Sequence, residues 1–348
     1  MHANQQHPYQ PARTFVNHAF ERFAPRACTA EWLETICGPP LWDWDLGIIQ
    51  KGFTDGLYRF FDAYPARLRP VLTALLLQAA DKDPTQHEAS LASLELVHLA
   101  TLIVNDFRNG RTVAEATSPV LPLPLPVLAT VAYTARQLSC YLPIHYLQSL
   151  SLEARTWLSY RFSRALAAQG VGTALDIDGV ESETHPDDDI FYGWLKLVVA
   201  PLSFGLSVDC LVAALDAIDT PLAGTLGRAA CSLGIAYRLS ANLTDLAGAV
   251  HGGSATRDGA GEARISSLWA SVLGKDFLAG RTPPLDDSRW RAEIQTGFAS
   301  RCLRLAQRER NTAQQEIDNA PAPFAAVLND FANRIVDPVL LRAKACVT

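Results

Sequence analysis

The feature that most constrains the fold is a series of long segments in which apolar residues recur three and four positions apart. One of these segments begins at Leu46 and continues through Ile49, Phe53 and Leu57. This spacing places the apolar side chains on one face of a helix. Turn signals such as Tyr64-Pro65 separate successive segments, and strand signatures are nearly absent. The sequence therefore predicts an all-α protein.

The predicted helices cover most of the chain, and no low-complexity linker or internal repeat divides it. Residues 1–45 are predicted to be an N-terminal arm with a first short helix, and residues 46–348 a single helical domain. A Gly- and Asp-rich stretch at 170–189 is predicted to be a loop. The predicted helices are 46–63, 68–80, 86–107, 127–141, 144–169, 190–217, 222–249, 264–278, 289–319 and 323–345.

Composition excludes several classes of protein. Hydrophobic residues make up 49% of the chain and charged residues 19%, which suits a large helical core or an apolar cavity. The net charge of −6 and the absence of a basic tract argue against a nucleic-acid partner. Seven cysteines without a CxxC pair indicate a reducing compartment, so we expect a cytoplasmic protein.

One apolar segment, 195–218, has the length of a transmembrane helix. It contains Pro201 and Asp209, which favour a buried core helix instead. The first ten residues lack the hydrophobic run of a secretory signal. We therefore predict no transmembrane segment.

Three short segments of the chain place polar residues among the apolar ones. Residues 65–70 read Pro-Ala-Arg-Leu-Arg-Pro. Residues 95–98 read Glu-Leu-Val-His, and Leu-Ile-Val-Asn-Asp follows at 102–106 on the same predicted helix. Far downstream, residues 234–238 read Gly-Ile-Ala-Tyr-Arg, and Leu-Ser-Ala-Asn-Leu-Thr-Asp follows at 239–245.

In order, spacing and helical context these elements resemble those of the trans-isoprenyl diphosphate synthase family. The family has Gly-Lys-Arg-Leu-Arg-Pro, then Glu-Leu-x-His before a first aspartate motif, and Gly-Leu-Ala-Phe-Gln before a second. The resemblance spans roughly residues 46–280. It implies a bundle of about ten or more helices around a central apolar cavity, a homodimer, and a prenyl diphosphate or a derived hydrophobic molecule as the ligand. Terpene cyclases share this scaffold.

The resemblance also implies magnesium, which the family holds with two Asp-Asp-x-x-Asp motifs. Here only Asp106 and Asp245 keep a carboxylate among the six motif positions, so they are the candidate metal ligands of a weakened site. Asparagine offers a neutral carbonyl oxygen instead of an anion. The other positions are Asn105 and Asn109 in the first motif, and Ala241 and Asn242 in the second.

The diphosphate-binding residues of the family are also reduced. Its lysine in the first element falls at Ala66, and its Lys-Thr pair falls at Val199-Ala200. Both changes make ordinary chain elongation improbable. The resemblance leaves four candidate diphosphate contacts: Arg67, His98, Arg111 and Arg238.

Three functions are compatible with this pattern. The leading hypothesis is an atypical class I isoprenoid enzyme, which cyclises a prenyl diphosphate or transfers the prenyl group to an acceptor other than isopentenyl diphosphate. The second is a catalytically inactive partner subunit that forms a heteromer with an active synthase. The third is a metal-independent cyclase or isomerase that uses the apolar cavity to orient a reactive hydrocarbon.

Overall fold

The computed structural model describes residues 8–39, 45–108, 124–181, 192–250 and 297–347. Within these ranges the backbone alone is described at 105–108, 125, 173–181, 245–250 and 298. Helices account for the secondary structure of the described residues, which contain no strand. The prediction of an all-α protein is confirmed.

The chain separates into two compact units. Unit 1 comprises Met1–Ala74 and Pro84–Ser149, and unit 2 comprises Leu75–Asp83 and Leu150–Thr348. Each unit is described by itself. The single domain expected over residues 46–348 stays a prediction.

Unit 1 is built around one long helix, α6, which packs against α1 and α7. A π-helical turn joins α3 to α4, and a 3₁₀ turn leads into α6. Helix α5 begins in unit 1 and ends in unit 2. The helices that begin in unit 1 are α1 (Gln10–Phe23), α2 (Ala30–Cys37), α3 (Leu46–Ile49), α4 (Asp55–Ala63), α5 (Leu68–Ala79), α6 (Glu88–Arg108) and α7 (Leu125–Tyr146).

Part of the predicted N-terminal arm is the helix α1, which packs in the core of unit 1. Val16, Ala19 and Phe20 have no solvent exposure. The ring of Phe20 stacks on that of Phe61 at a centroid distance of 4.2 Å. These three buried residues follow the three- and four-residue spacing of a core-facing helix, so the sequence held a signal for this packing.

Unit 2 contains α8 (Leu152–Glu181), α9 (Tyr192–Ala214), α10 (Pro221–Val250), α11 (Phe298–Asp318), α12 (Ala322–Phe331) and α13 (Asp337–Val347). Helix α10 packs against α11 and α13. Helix α9 contains two successive π-helical turns around Pro201, which lacks the backbone N–H that a regular helix requires. The loop predicted at 170–189 is wrong for residues 170–181, because α8 continues through them.

Two glycines lie inside helices at places where a neighbouring helix packs closely. A Cβ atom at Gly172 of α8 would lie 2.9 Å from the indole nitrogen of Trp194 in α9. A Cβ at Gly234 of α10 would lie 2.6 Å from the Cβ of Ser203. Both separations are shorter than van der Waals contact, so these glycines permit close helix packing and do not break their helices.

We expect Gly234→Ala to lower the free energy of unfolding by about 1–3 kcal/mol, because the added methyl group forces α9 and α10 apart. Gly227 lies in the same helix, and a Cβ there meets no atom within 4 Å. Gly227→Ala should therefore raise the free energy of unfolding by roughly 0.5–1 kcal/mol through helix propensity alone. Urea unfolding of both variants measures the difference. Equal effects of the two substitutions would contradict the close packing at Gly234.

In the part of the chain that the structure describes, two helical segments are long and apolar enough to cross a membrane by length and composition alone. They are Pro84–Val104 and Tyr192–Ala214, and 78% and 89% of their apolar windows are buried inside the protein. In the second segment, Asp209 accepts a hydrogen bond of 2.9 Å from Nε of Arg161 in α8. The burial of this segment confirms the predicted core helix, which ends at Ala214.

Candidate functional site

The first aspartate-motif positions lie at the carboxyl end of α6. Asn105 and Asp106 belong to the last turns of this helix, where the backbone is described without side chains. Asn109 and Arg111 lie outside the described residues, so their predicted roles stay predictions. About two turns earlier on α6 lies His98, and about three turns earlier lies Glu95; the side chains of both are described.

Arg67 is buried and enclosed by protein acceptors. Its side chain is 2% exposed, and its Nη1 donates to Oε1 of Glu95 at 2.9 Å and also to the carbonyl of Tyr64. Nε donates to Oδ1 of Asn17 at 3.0 Å, and Nη2 to the carbonyl of Phe61 at 2.6 Å. These partners hold Arg67 inside unit 1. The arrangement does not support the predicted contact between Arg67 and a diphosphate.

Glu95 is the buried counter-ion of Arg67. Its side chain is 1% exposed, and Oε2 has no hydrogen-bond partner among the described residues. Burial raises the pKa of Glu95, and the nearby guanidinium groups of Arg67 and Arg69 oppose that rise. Removal of either Arg67 or Glu95 would leave the other charge buried without a partner, which strongly destabilises a folded protein.

Arg69 and His98 form a second pair beside the first. Nη1 of Arg69 lies 2.8 Å from Nδ1 of His98, and both residues are half-buried. A guanidinium has only donors, so Nδ1 of His98 accepts and the imidazole proton resides on Nε2. The pair thus combines a permanent positive charge with an imidazole N–H donor, which suits an anionic ligand.

The second aspartate-motif positions lie on α10 in unit 2. Asn242 is 8% exposed, and its Oδ1 has no hydrogen-bond partner among the described residues. Arg238, one turn earlier, is half-buried, and it interacts with other residues. Asp245 follows on the same helix, at a position where only the backbone is described.

A buried amide oxygen without a partner, such as Oδ1 of Asn242, fits a divalent cation that prefers oxygen ligands. Among the side chains that the structure describes, there is no group of three or more His, Cys, Asp and Glu residues that would hold a metal. The two predicted carboxylate ligands, Asp106 and Asp245, are not among those side chains.

No family model matches the sequence, and no curated protein matches it. Solved structures do match. A geranylgeranyl pyrophosphate synthetase from Geoglobus acetivorans aligns with a TM-score of 0.66 at 14% identity, covering 94% of this chain and 99% of its own. A polyprenyl synthase from Caulobacter crescentus CB15 aligns with a TM-score of 0.62 at 17% identity, covering 94% of each chain. The chain has the trans-isoprenyl diphosphate synthase fold.

A third structure with the trans-isoprenyl diphosphate synthase fold is a Helicobacter pylori geranyltransferase in complex with magnesium and isoprenyl diphosphate. It aligns with a TM-score of 0.58 at 16% identity, and covers 95% of this chain and 98% of its own. The Caulobacter protein is in complex with calcium and isoprenyl diphosphate. At these identities the likeness concerns the fold, and it confirms the fold that the motif spacing predicted.

The structure adds Arg69 to the candidate anion-binding residues, because Arg69 pairs with the predicted contact His98. The motif Arg-Leu-Arg contains two arginines, of which the family resemblance indicated Arg67. A signal was available on α6, where Glu95 and His98 are three residues apart and therefore lie on one face. A carboxylate and an imidazole on one face can each engage a different arginine, which is what the structure shows.

Proposed function

We propose that this protein is an enzyme that acts on a linear prenyl diphosphate, either cyclising it or transferring its prenyl group to an acceptor other than isopentenyl diphosphate. The observation that carries the proposal is the alignment of 94% of the chain with prenyl synthase structures. Motif residues that fit a cation or a diphosphate, Asn242 and the Arg69–His98 pair, support it.

The reaction would begin with heterolysis of the allylic C–O bond, in which the diphosphate departs with the electron pair. For cyclisation, an alkene of the same prenyl chain would then attack the carbocation to close a ring, and the cyclic cation would lose a proton. For transfer, the acceptor would attack the carbocation and lose its proton. Mg²⁺, when bound, would neutralise charge on the departing diphosphate. Asp106 and Asp245 are the proposed metal-binding carboxylates, and the amide oxygens of Asn105, Asn109 and Asn242 are the proposed additional ligands.

The diphosphate would be held by fixed cationic and N–H donors. We assign this role to Arg69 and His98, with Arg69 in the place that the sequence analysis gave to Arg67. Arg111 and Arg238 remain proposed contacts. Ala66 and Val199 supply no charge where the resembling family has lysines. Such a site would hold one diphosphate in preference to the two that chain elongation requires.

The cellular setting of this activity is also part of the proposal. We propose a homodimer in the cytoplasm, as the resemblance and the composition imply. A heteromer with an active synthase remains the alternative assembly, because four of the six metal-binding positions lack a carboxylate.

We expect purified protein with Mg²⁺ and a prenyl diphosphate of suitable length to yield a cyclised or acceptor-linked product. Addition of isopentenyl diphosphate should give no longer prenyl chain, because the second diphosphate site lacks its lysines. Mass spectrometry of extracted products measures both outcomes across C10, C15 and C20 substrates. Robust elongation would contradict the proposal. If the protein is inactive by itself but changes the products of an added active synthase, the partner-subunit alternative would be favoured.

A further inference from the structure

We propose that Arg67 and Glu95 are positioning residues, which fix the first turn of α5 against α6 so that Arg69 and His98 face a diphosphate together. Arg67 and Glu95 would not contact the diphosphate themselves. This inference rests on the proposed function, because that function assigns the diphosphate to Arg69 and His98. The inference adds that the Arg67–Glu95 pair holds the side chains of Arg69 and His98 in place.

The backbone of Arg67 is in an unfavourable conformation. Its φ angle is 53°, in the left-handed region where the Cβ of a residue with a side chain comes too close to the following carbonyl oxygen. The carbonyl oxygen of Arg67 accepts the backbone N–H of Val71 at 3.0 Å, the hydrogen bond that opens α5. The conformation of Arg67 therefore sets the direction in which α5 begins, and Arg69 lies in its first turn.

Side-chain contacts offset the cost of that conformation. The guanidinium of Arg67 lies 3.4 Å from the centroid of the Phe61 ring and bonds to the carbonyl of the same residue. It also reaches Asn17 in α1 and Glu95 in α6. Buried, charge-assisted bonds of this kind are stronger than those between neutral groups. Arg67 thus ties the start of α5 to three neighbouring helices of unit 1.

Two side-chain pairs join the start of α5 to α6 in register. Arg67 bonds to Glu95, and Arg69 bonds to His98, one turn further along α6. The first pair is buried and the second is half-buried. The buried pair provides the fixed attachment, and the half-buried pair provides the donors. Loss of the buried pair would release the left-handed turn and move Arg69 relative to His98.

The double variant Arg67→Met/Glu95→Leu tests this arrangement, because it removes both charges together and leaves neither one buried alone. The matched control is Arg310→Met/Asp337→Leu, which removes an arginine–carboxylate pair in unit 2. Calorimetric titration with inorganic diphosphate measures affinity. Nitrogen-15 NMR, with the His98 signals assigned by their absence in His98→Gln, measures which imidazole nitrogen carries the proton.

We expect the double variant to bind diphosphate at least tenfold more weakly than the wild type and to lose the fixed Nε2–H form of His98. The control should retain both properties. Arg67→Lys, which keeps the charge but cannot reach every acceptor, should change both properties in the same direction by a smaller amount. It provides the test if the double variant does not fold.

Wild-type His98 signals and wild-type diphosphate affinity in folded Arg67→Met/Glu95→Leu, or in Arg67→Lys, would overturn the positioning role. Failure of the wild type to bind diphosphate would instead contradict the proposed function. In that case the His98 signals still decide whether Arg67 and Glu95 position Arg69, since they require no ligand.

Discussion

Asp106→Asn and Asp245→Asn should each lower the turnover of a prenyl diphosphate by at least about 100-fold. Substitution of residues that only hydrogen-bond to metal ligands already lowers metal affinity or activity by roughly 10–100-fold. Asp106 and Asp245 are the carboxylates left among six motif positions, so little charge remains to compensate for either. The melting temperature should stay nearly constant or rise slightly, because carboxylates retained for function often reduce stability.

The matched control for these variants is Asp330→Asn. Asp330 is a carboxylate of unit 2 that is 47% exposed and bonds to Arg334 across one helical turn at 2.7 Å. Its substitution should leave turnover within about twofold, because exposed pairs of this kind contribute little. Diphosphate release measures all three variants. Full turnover in both Asp106→Asn and Asp245→Asn would contradict metal binding by these residues and favour the metal-independent hypothesis.

Glu95→Ala should reduce the free energy of unfolding by about 3–5 kcal/mol, because it leaves the Arg67 guanidinium buried without its counter-ion. Replacing both members, as in Arg67→Met/Glu95→Leu, should restore most of that loss. Urea unfolding followed by circular dichroism measures the three proteins. A loss below about 1 kcal/mol for Glu95→Ala, the range of exposed pairs, would show that the pair is solvated.

The sequence predicted helices wherever apolar residues recurred at helical spacing. The prediction failed where a residue type, such as glycine, is compatible with both a loop and a helix. Gly172 illustrates this failure. Glycine and aspartate between 170 and 189 suggested a loop, yet Gly172 lies within α8, at a point where α9 is too close to leave room for a side chain. Whether a glycine ends a helix or admits a neighbour depends on tertiary packing, which local propensity does not contain.

Motif spacing located the helices α6 and α10 that carry the two motifs, and the roles of the motif residues stay predictions. The choice between Arg67 and Arg69 was not predictable from spacing. Arg67 has a left-handed backbone and a buried side chain, whereas Arg69 lies in the first turn of α5 and is half-buried. The sequence does not predict the left-handed backbone of Arg67, since arginine rarely adopts this conformation.

The most direct test of the account is a titration of the purified protein with a prenyl thiodiphosphate, an analogue that resists ionisation, in the presence of Mg²⁺ and then of excess EDTA. We expect saturable binding with Mg²⁺ and about tenfold weaker binding or less with EDTA, because the proposed metal ligands Asp106 and Asp245 are carboxylates, which repel a diphosphate when no cation lies between them. Equal affinity in both conditions would contradict the role of the metal. Absence of binding in both would contradict the proposed prenyl-diphosphate site itself.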